Sequence, residues 1–506
     1  MGNISQINHP AGIPIQLFTP ACMLDHHFQG RPVLPAVEAM EALACTAKQI
    51  HPGLAVHCIT GMRFDKFLFL DPARDRMDAL AELQSSQDNG GLQACLTTRT
   101  RAPRAAITRT KIHARLTFSQ SSTRPDGWSM DVAAAPEGVC IAVSPERVYE
   151  DLVPFGPAYR NIVAPVWISP DGAMARIRTP DSTRQTCLGS PFALDAALHA
   201  ACVWGQHFQG LVAFPVAIER RTIIRPTLPG EVYYGRVRPC RVLDDALVVD
   251  IELRDNRGNL CESVLGVQMR DVSGGRLRPP PWILRNAALE PLSEIGEQCL
   301  GLAVVELDAV APFADRALTL LEKERFEKMG PKRRKSYLAA RLALKHLFRR
   351  CRDQGFSLPA HAIETVCKDA PLPRCSAVDD PAEPELRCSV SHDRRLAVAV
   401  AHTAKVGVDI EEVTPKALKT KNIYMNKDEV ALARQSPLED QKAALRIWSI
   451  KEAAAKAFGI GLAETWQLVS VTRLGDRQSS FAMGGRNLPA FHAMVDSHIV
   501  TLVVEQ

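Results

Sequence analysis

The 506 residues carry 61 lysines and arginines against 56 aspartates and glutamates, with 46% hydrophobic and 23% charged residues. That composition is ordinary for a soluble globular chain of roughly two to four folding units, and a net charge of +5 is too mild to call for a nucleic-acid partner. Fourteen cysteines without a CxxC or paired Cys/His spacing argue against a zinc site or a disulfide framework; no run nears the roughly 20 apolar residues of a membrane span, and a reducing cytoplasm is the expected compartment.

In chain order, a helix-patterned stretch VEAMEALACTAKQI (37 to 50) comes first, followed by strand-patterned runs CITGMRFDKFLFL (58 to 70) and AITRTKIHARLTF (106 to 118). One helix amid several strands predicts an α+β unit. After the turn-rich connection SQSSTRPDGWSMDVAAAPEG the pattern repeats, with strands near AMARIRTP, a helix at ALDAALHAACVWGQHF (193 to 208), and two long β-patterned runs. SGGRLRPPPW (273 to 282) reads as a semi-rigid boundary. Beyond it, ALTLLEKERFEKM and KSYLAARLALKHLFRRC have helical spacing, and short strands follow at LRCSVSHD, RLAVAVA and KVGVDIEEV. The expected layout is therefore two α+β repeats at 1 to 120 and 138 to 272, a linker at 273 to 290, and a third mixed unit at 291 to 506.

In VGVDIEEV the apolar Val406, Val408 and Ile410 alternate with Gly407, Asp409 and Glu411, so a strand sets both carboxylates on one face. Such hard oxygen ligands suit magnesium, and Glu452 in WSIKEAAAKAFGIGL offers a third, with Lys451 and Lys456 nearby in sequence to neutralise phosphate. Taken alone, Glu452 and Lys456 also fit a plain i, i+4 surface pair. The two stretches resemble the signature motifs of 4'-phosphopantetheinyl transferases of the pseudo-dimeric, surfactin-synthetase-associated type. SVSHD (389 to 393), KDAPLP (368 to 373) and RRKSYLAARLALK (333 to 345) resemble further segments of that family.

The resemblance implies transfer of phosphopantetheine from coenzyme A to a carrier-protein serine. It assigns Asp409, Glu411 and Glu452 to Mg2+, Lys456 to charge stabilisation, and Arg341, Lys345, His392 and Lys451 to coenzyme A. Glu452 is also the expected acceptor of the serine proton.

Nearer the N-terminus, DHHFQGRPVLPAVEAMEAL (25 to 43) has the spacing His-x3-Gly-x4-Pro through His26, Gly30 and Pro35. Gly30 is expected to allow close backbone approach to a thioester. VPFGPAYRNI (153 to 162) and SPFALDAALHA (190 to 200) follow in the second repeat. Together these resemble the double hot-dog dehydratases of polyketide synthases. The resemblance implies His26 as base, Asp195 as a protonated acid with its pKa raised by apolar surroundings, His199 as its orienting partner, and no cofactor. It leaves three readings of this half open: an active 3-hydroxyacyl-thioester dehydratase, a product-template-like cyclase, or a non-catalytic scaffold beside an active transferase. The expected whole is a cytoplasmic bifunctional enzyme acting in trans on an acyl carrier protein, without nucleic-acid or membrane partners.

Overall fold

Three of the four described helices of 15 residues or more start at or just after a proline: Ala36–Ile50 after Pro35, Pro191–Gln209 at Pro191 and Pro331–Cys351 at Pro331. Proline's fixed φ suits the first turn, and its missing N–H falls where helical donors are unpaired anyway. The computed structural model describes residues 8–85, 91–101, 108–119, 134–182, 184, 186–243, 245–284, 292–352, 358–366, 373, 376–377 and 386–505. Within it the chain divides into two units, 1–127 with 141–285 and 128–140 with 286–506. The KDAPLP segment lies outside the described residues except for Pro373, as do residues 285–290 of the expected linker.

The first unit is a double hot dog built on one twelve-stranded sheet, antiparallel throughout. Its first half runs Asn8–Phe18, Arg76–Ser85, Leu92–Arg101, Thr108–Phe118, Cys58–Arg63. The second half runs Phe214–Ile223, Leu260–Arg270, Ala246–Asp255, Val232–Leu243, Gly172–Arg178, Val166–Ser169, Ile141–Val143. The halves join where Cys58–Arg63 pairs with Phe214–Ile223, Thr60 opposite Arg220. Each half wraps one long helix, and Met40, Leu43, Leu194 and Ala201 from the two helices share one core. The helix Pro191–Gln209 is buried at every position from Ala193 to His207, which its run of alanines permits. The expected strand from 58 to 70 ends at Arg63; the chain then turns, and Phe69 bridges to Val33 beside the helix Ala36–Ile50.

The second unit repeats a sheet-plus-helix plan. Gly301–Glu306, Leu396–His402 and Arg387–His392 form a three-stranded sheet that packs with Pro331–Cys351. Val406–Glu412, His498–Val504, Arg486–Val495, Gln478–Met483 and Ser470–Arg473 form a five-stranded sheet that packs with Asp440–Phe458. Val398 and Val400 of one sheet share a core with Val408, Ile410 and Leu502 of the other.

The two halves also repeat one polar device. Thr319 and Glu322 form a capping box at the helix Leu320–Glu327, and Asn426 and Glu429 form one at Lys427–Gln435. Each glutamate also accepts a backbone N–H, Thr365 in one half and Val471 in the other, and each pairs with a buried lysine of the long helix, Lys345 or Lys451.

Residues 134–140, which include the first three residues expected of the second repeat, belong to the second unit. The Gly138 N–H donates to Val304 O at 2.8 Å, Glu137 bridges to Val305, and Ala134 O accepts from Ala311 N at 2.7 Å. Ala134, Ala135 and Cys140 are buried there, and Glu137 pairs with Arg350 at 2.6 Å. Among the described residues, no helix is long and apolar enough to cross a membrane.

Candidate functional site

The first site grows from a tight hairpin. His27 pairs with Pro32 and Phe28 with Arg31, leaving Gln29 (φ 50°) and Gly30 (φ 75°) as a two-residue left-handed turn. Gly30 is thus needed for its backbone conformation. A side chain there would meet nothing within 4 Å of protein, so the turn's φ rather than crowding by its neighbours calls for glycine. The turn ties His26 to Val33 twice: His26 O accepts from Val33 N at 2.9 Å, and the imidazole Nδ1 lies 3.1 Å from Val33 O. A carbonyl only accepts, so Nδ1 carries the proton and Nε2 is the nitrogen left as a base.

Asp195 and His199 enter from the helix Pro191–Gln209, one turn apart and each only 4% exposed. His199 Nε2 and Asp195 Oδ2 stand 2.9 Å apart, at ion-pair distance but off the hydrogen-bond axis. Tyr149 Oη accepts from Ile162 N at 3.0 Å and lies 3.4 Å from His199 Nδ1. Phe155 lies against His26, ring centroids 4.4 Å apart, and Tyr159 lies at 5.2 Å. His26, Asp195 and His199 line one cavity of about 540 Å3, with Leu34, Leu198 and Phe214 among its apolar walls.

Burial pushes the His26 imidazole below its ordinary range, although Asp195 opposes this. For Asp195 the structure corrects the expected rise. Burial does push its carboxyl up, but His199 and then His26 outweigh it, and the net direction is down. The resting site therefore holds Asp195 ionised.

Asp25 is a residue the sequence reading missed. Its backbone O accepts from Gly156 N at 2.9 Å and its Oδ2 from Ala158 N at 2.8 Å. It thereby latches the FGPAY turn beside His26. A Cβ on Gly156 would lie 2.3 Å from Asp25 Cγ, so this glycine is fixed by space. The adjacency of Asp25 to His26 was the available signal. Tyr149, at the far end of the His199 network, was also missed and lies in no motif.

In the second unit, Gly407, Asp409 and Glu411 share the strand face that meets the helix Asp440–Phe458. A Cβ on Gly407 would sit 1.9 Å from Ala453 O and 2.6 Å from Ala457 N, so strand and helix pack in backbone contact. Gly407→Ala is expected to push them apart, lowering stability by about 1–3 kcal/mol with a matching fall in the thermal midpoint.

That contact delivers Lys456 to Asp409. Its Nζ reaches Asp409 Oδ1 and Ser391 Oγ at 2.8 Å each and Val408 O at 3.1 Å. Glu411 accepts from Trp448 Nε1 at 3.1 Å. Asp409 is 3% exposed, and its Oδ2 is buried without a hydrogen-bond partner. Burial and the Asp409 charge, with a smaller contribution from Glu452, push Glu411 up to about 7. Burial and Asp409 also push Glu452 up, against Lys456. Three mutually repelling carboxylates with an orphaned oxygen fit a hard divalent cation. Their oxygens do not all lie within 4.8 Å of one another, so a cation would draw them closer.

His392, at the end of the strand beside Ser391, has its imidazole pushed down by burial and then by Lys456, with a smaller effect from Arg341. Arg341 is held by Thr365, Nη1 to O at 2.8 Å and to Oγ1 at 2.9 Å, with its guanidinium 5.1 Å from the Tyr337 ring centre. Lys456 thus acts on both His392 and Glu452, and Arg341 acts on His392.

The expected coenzyme role of Lys345 and Lys451 is corrected. Both are fully buried, Lys345 among Glu322, Ala360 O and Ile363 O at 2.8 Å each, and Lys451 between Glu429 at 2.8 Å and Tyr424 O at 2.7 Å. Lys451→Ala is expected to cost about 3–5 kcal/mol by leaving Glu429 charged and unpaired. Coenzyme A affinity, measured by calorimetry well below the lowered melting point, should stay unchanged.

Residues 128–279 match the polyketide synthase dehydratase N-terminal domain and residues 405–503 the 4'-phosphopantetheinyl transferase superfamily. The first match contains Asp195 and His199; the second contains Asp409, Glu411, Glu452 and Lys456. Enterobactin synthase component D of Salmonella austin is 29% identical over 170 residues, which cover 33% of this chain and 65% of that protein's length.

Two solved structures are also similar. A trans-AT polyketide synthase dehydratase domain from Brevibacillus brevis is 19% identical at a TM-score of 0.42, over 51% of this chain and 92% of that one. The dehydratase domain of RzxB from Pseudomonas fluorescens is 14% identical at 0.41, over 52% and 96%. This chain thus joins a polyketide-synthase-type dehydratase region to a region of the 4'-phosphopantetheinyl transferase superfamily.

Proposed function

We propose that the chain is a bifunctional cytoplasmic enzyme that primes an acyl carrier protein with phosphopantetheine and dehydrates 3-hydroxyacyl groups carried on it. The first unit supplies the lyase chemistry. His26 Nε2 takes the α-proton of the 3-hydroxyacyl thioester; the C–O bond at the β-carbon breaks, a proton from Asp195 joins the departing hydroxyl, and an enoyl thioester and water leave. Because the resting Asp195 is ionised, the working form carries one added proton on this cluster of side chains. Tyr149 positions His199, and His199 positions Asp195.

The second unit supplies the transfer. A carrier serine oxygen attacks the pyrophosphate phosphorus next to the pantetheine arm, the bond to 3',5'-ADP breaks, and the serine proton passes to Glu452. Asp409, Glu411 and Glu452 would hold Mg2+, which supplies charge neutralisation on the pyrophosphate when bound. Lys456 stabilises the charge that builds on the leaving phosphate, and Arg341 and His392 bind coenzyme A phosphates. The observation that carries this reading is Asp409, buried between Lys456 and two carboxylates with one oxygen unpartnered.

Intact-protein mass spectrometry tests both halves. An apo carrier protein incubated with coenzyme A, magnesium and this protein should gain one phosphopantetheine. A carrier then loaded with a 3-hydroxyacyl group should lose one water. Absence of the first gain would refute the transferase, and gain without water loss would leave the first unit a cyclase or scaffold.

A further inference from the structure

Away from the carboxylates and histidines above, two cysteines of the first unit meet. Cys45 lies in the helix Ala36–Ile50, and Cys187 lies on the connection that enters the helix Pro191–Gln209. They are 142 positions apart in sequence, yet their sulfurs stand 3.0 Å apart, within about 1 Å of a covalent disulfide bond. Both are partly exposed, so reagents in solution reach them.

Glu41 completes the cluster. Its Oε1 accepts from Cys187 N at 2.5 Å and its Oε2 from Leu188 N at 3.0 Å, fixing the connection against the helix, and the Cys45 thiol donates to Oε1 at 3.1 Å. The three residues also meet the distance requirement for a metal site, but the chemistry is against one. Glu41 is already taken up by two backbone donors and a thiol. Two thiolates on one tetrahedral metal stand about 3.8 Å apart at bond lengths of about 2.3 Å, wider than this pair.

We propose that Cys45 and Cys187 form a reversible disulfide, a redox-sensitive staple between the helices of the two hot-dog repeats. The oxidant is a small-molecule disulfide of the glutathione class. The Cys187 thiolate attacks it and releases one glutathione thiolate. Cys45, losing its proton through Glu41, attacks the mixed disulfide and expels the second. Two protein thiols and one glutathione disulfide thus become one protein disulfide and two glutathione thiols. Burial, Cys187 and Glu41 hold the Cys45 thiol protonated far into the alkaline range, which suits it to the second attack, where Glu41 stands ready to take its proton.

The test equilibrates the full chain with oxidised and reduced glutathione at several ratios, quenches with acid, alkylates, and maps peptides without reduction. The expected result is a linked Cys45–Cys187 peptide pair, two hydrogens lighter than the sum of its parts, that disappears with excess dithiothreitol. Cys45→Ser and Cys187→Ser should each remove it, whereas Cys240→Ser, at an exposed cysteine, should not. Oxidation should also raise the thermal midpoint of the wild-type chain and leave that of Cys187→Ser unchanged. Equal alkylation of both cysteines in oxidised and reduced samples would overturn the proposal. So would a bond from either one to a different cysteine, or stoichiometric zinc retained by the reduced protein and lost in both serine variants.

Discussion

Replacing Asp409 by asparagine is expected to slow phosphopantetheine transfer by about 100- to 1,000-fold, the range for losing one electrostatic stabiliser of the transition state, here the cation that Asp409 would help to hold. The substitution keeps the shape of the side chain, and its amide oxygen can still accept from Lys456 and Ser391. What it removes is the negative charge that Asp409 shares with Glu411 and Glu452. Those two carboxylates should then be more easily ionised, because Asp409 is a cause of the upward push on each. The variant is thus expected to fold cooperatively without metal. Binding gives an independent readout: calorimetry of the wild type should show a magnesium-dependent rise in melting temperature, and the variant should lose most of it. An undiminished rise in Asp409→Asn would place the cation elsewhere, whatever happened to turnover.

Much of this second site is legible in sequence because it follows two simple periods. The alternation in VGVDIEE sets Gly407, Asp409 and Glu411 on one face, and the helical spacing of WSIKEAAAKAF puts Trp448, Glu452 and Lys456 along the side that meets it. Depth is not legible in the same way. Lys451 and Lys456 look alike in the sequence, yet one is sealed against Glu429 and the other reaches the carboxylates. Glu429 gives the clue, since NKDE (426 to 429) and TLLE (319 to 322) both spell a capping box, and their glutamates are the ones that neutralise buried lysines.

The fate of residues 134–140 has a different cause. A few residues between turn-rich stretches carry too weak a pattern to declare that they will add to the edge of a distant sheet. Cys45 and Cys187 were invisible for a related reason: their proximity depends on the packing of two helices from different repeats, and no spacing rule links them.

The charge of Asp195 also escaped the sequence, and it leads to the prediction with the sharpest consequence. Apolar neighbours along ALDAALHA suggest a raised pKa, but the histidine one turn on and His26 across the cavity both favour the anion, and together they prevail. Dehydration needs His26 neutral and Asp195 protonated, a form with one proton shared between them. If burial governed Asp195, that form would dominate at neutral pH and persist well above it.

With both groups pushed down, the proton that His26 and Asp195 share is lost as pH rises through the depressed His26 value, below the ordinary 6.5. The kcat/KM for a 3-hydroxyacyl carrier, which reports the free enzyme, should therefore have its alkaline limb below about 6.5 and fall about tenfold per pH unit beyond it. A flat profile from pH 6 to 8 would show that Asp195 holds its proton after all. His26→Ala and Asp195→Asn should each cost about 100- to 10,000-fold in dehydration. The double variant should be scarcely worse than either, because the two act as a unit. Neither should alter carrier priming, and multiplicative losses in the double variant would mean that the base and the acid work on separate steps.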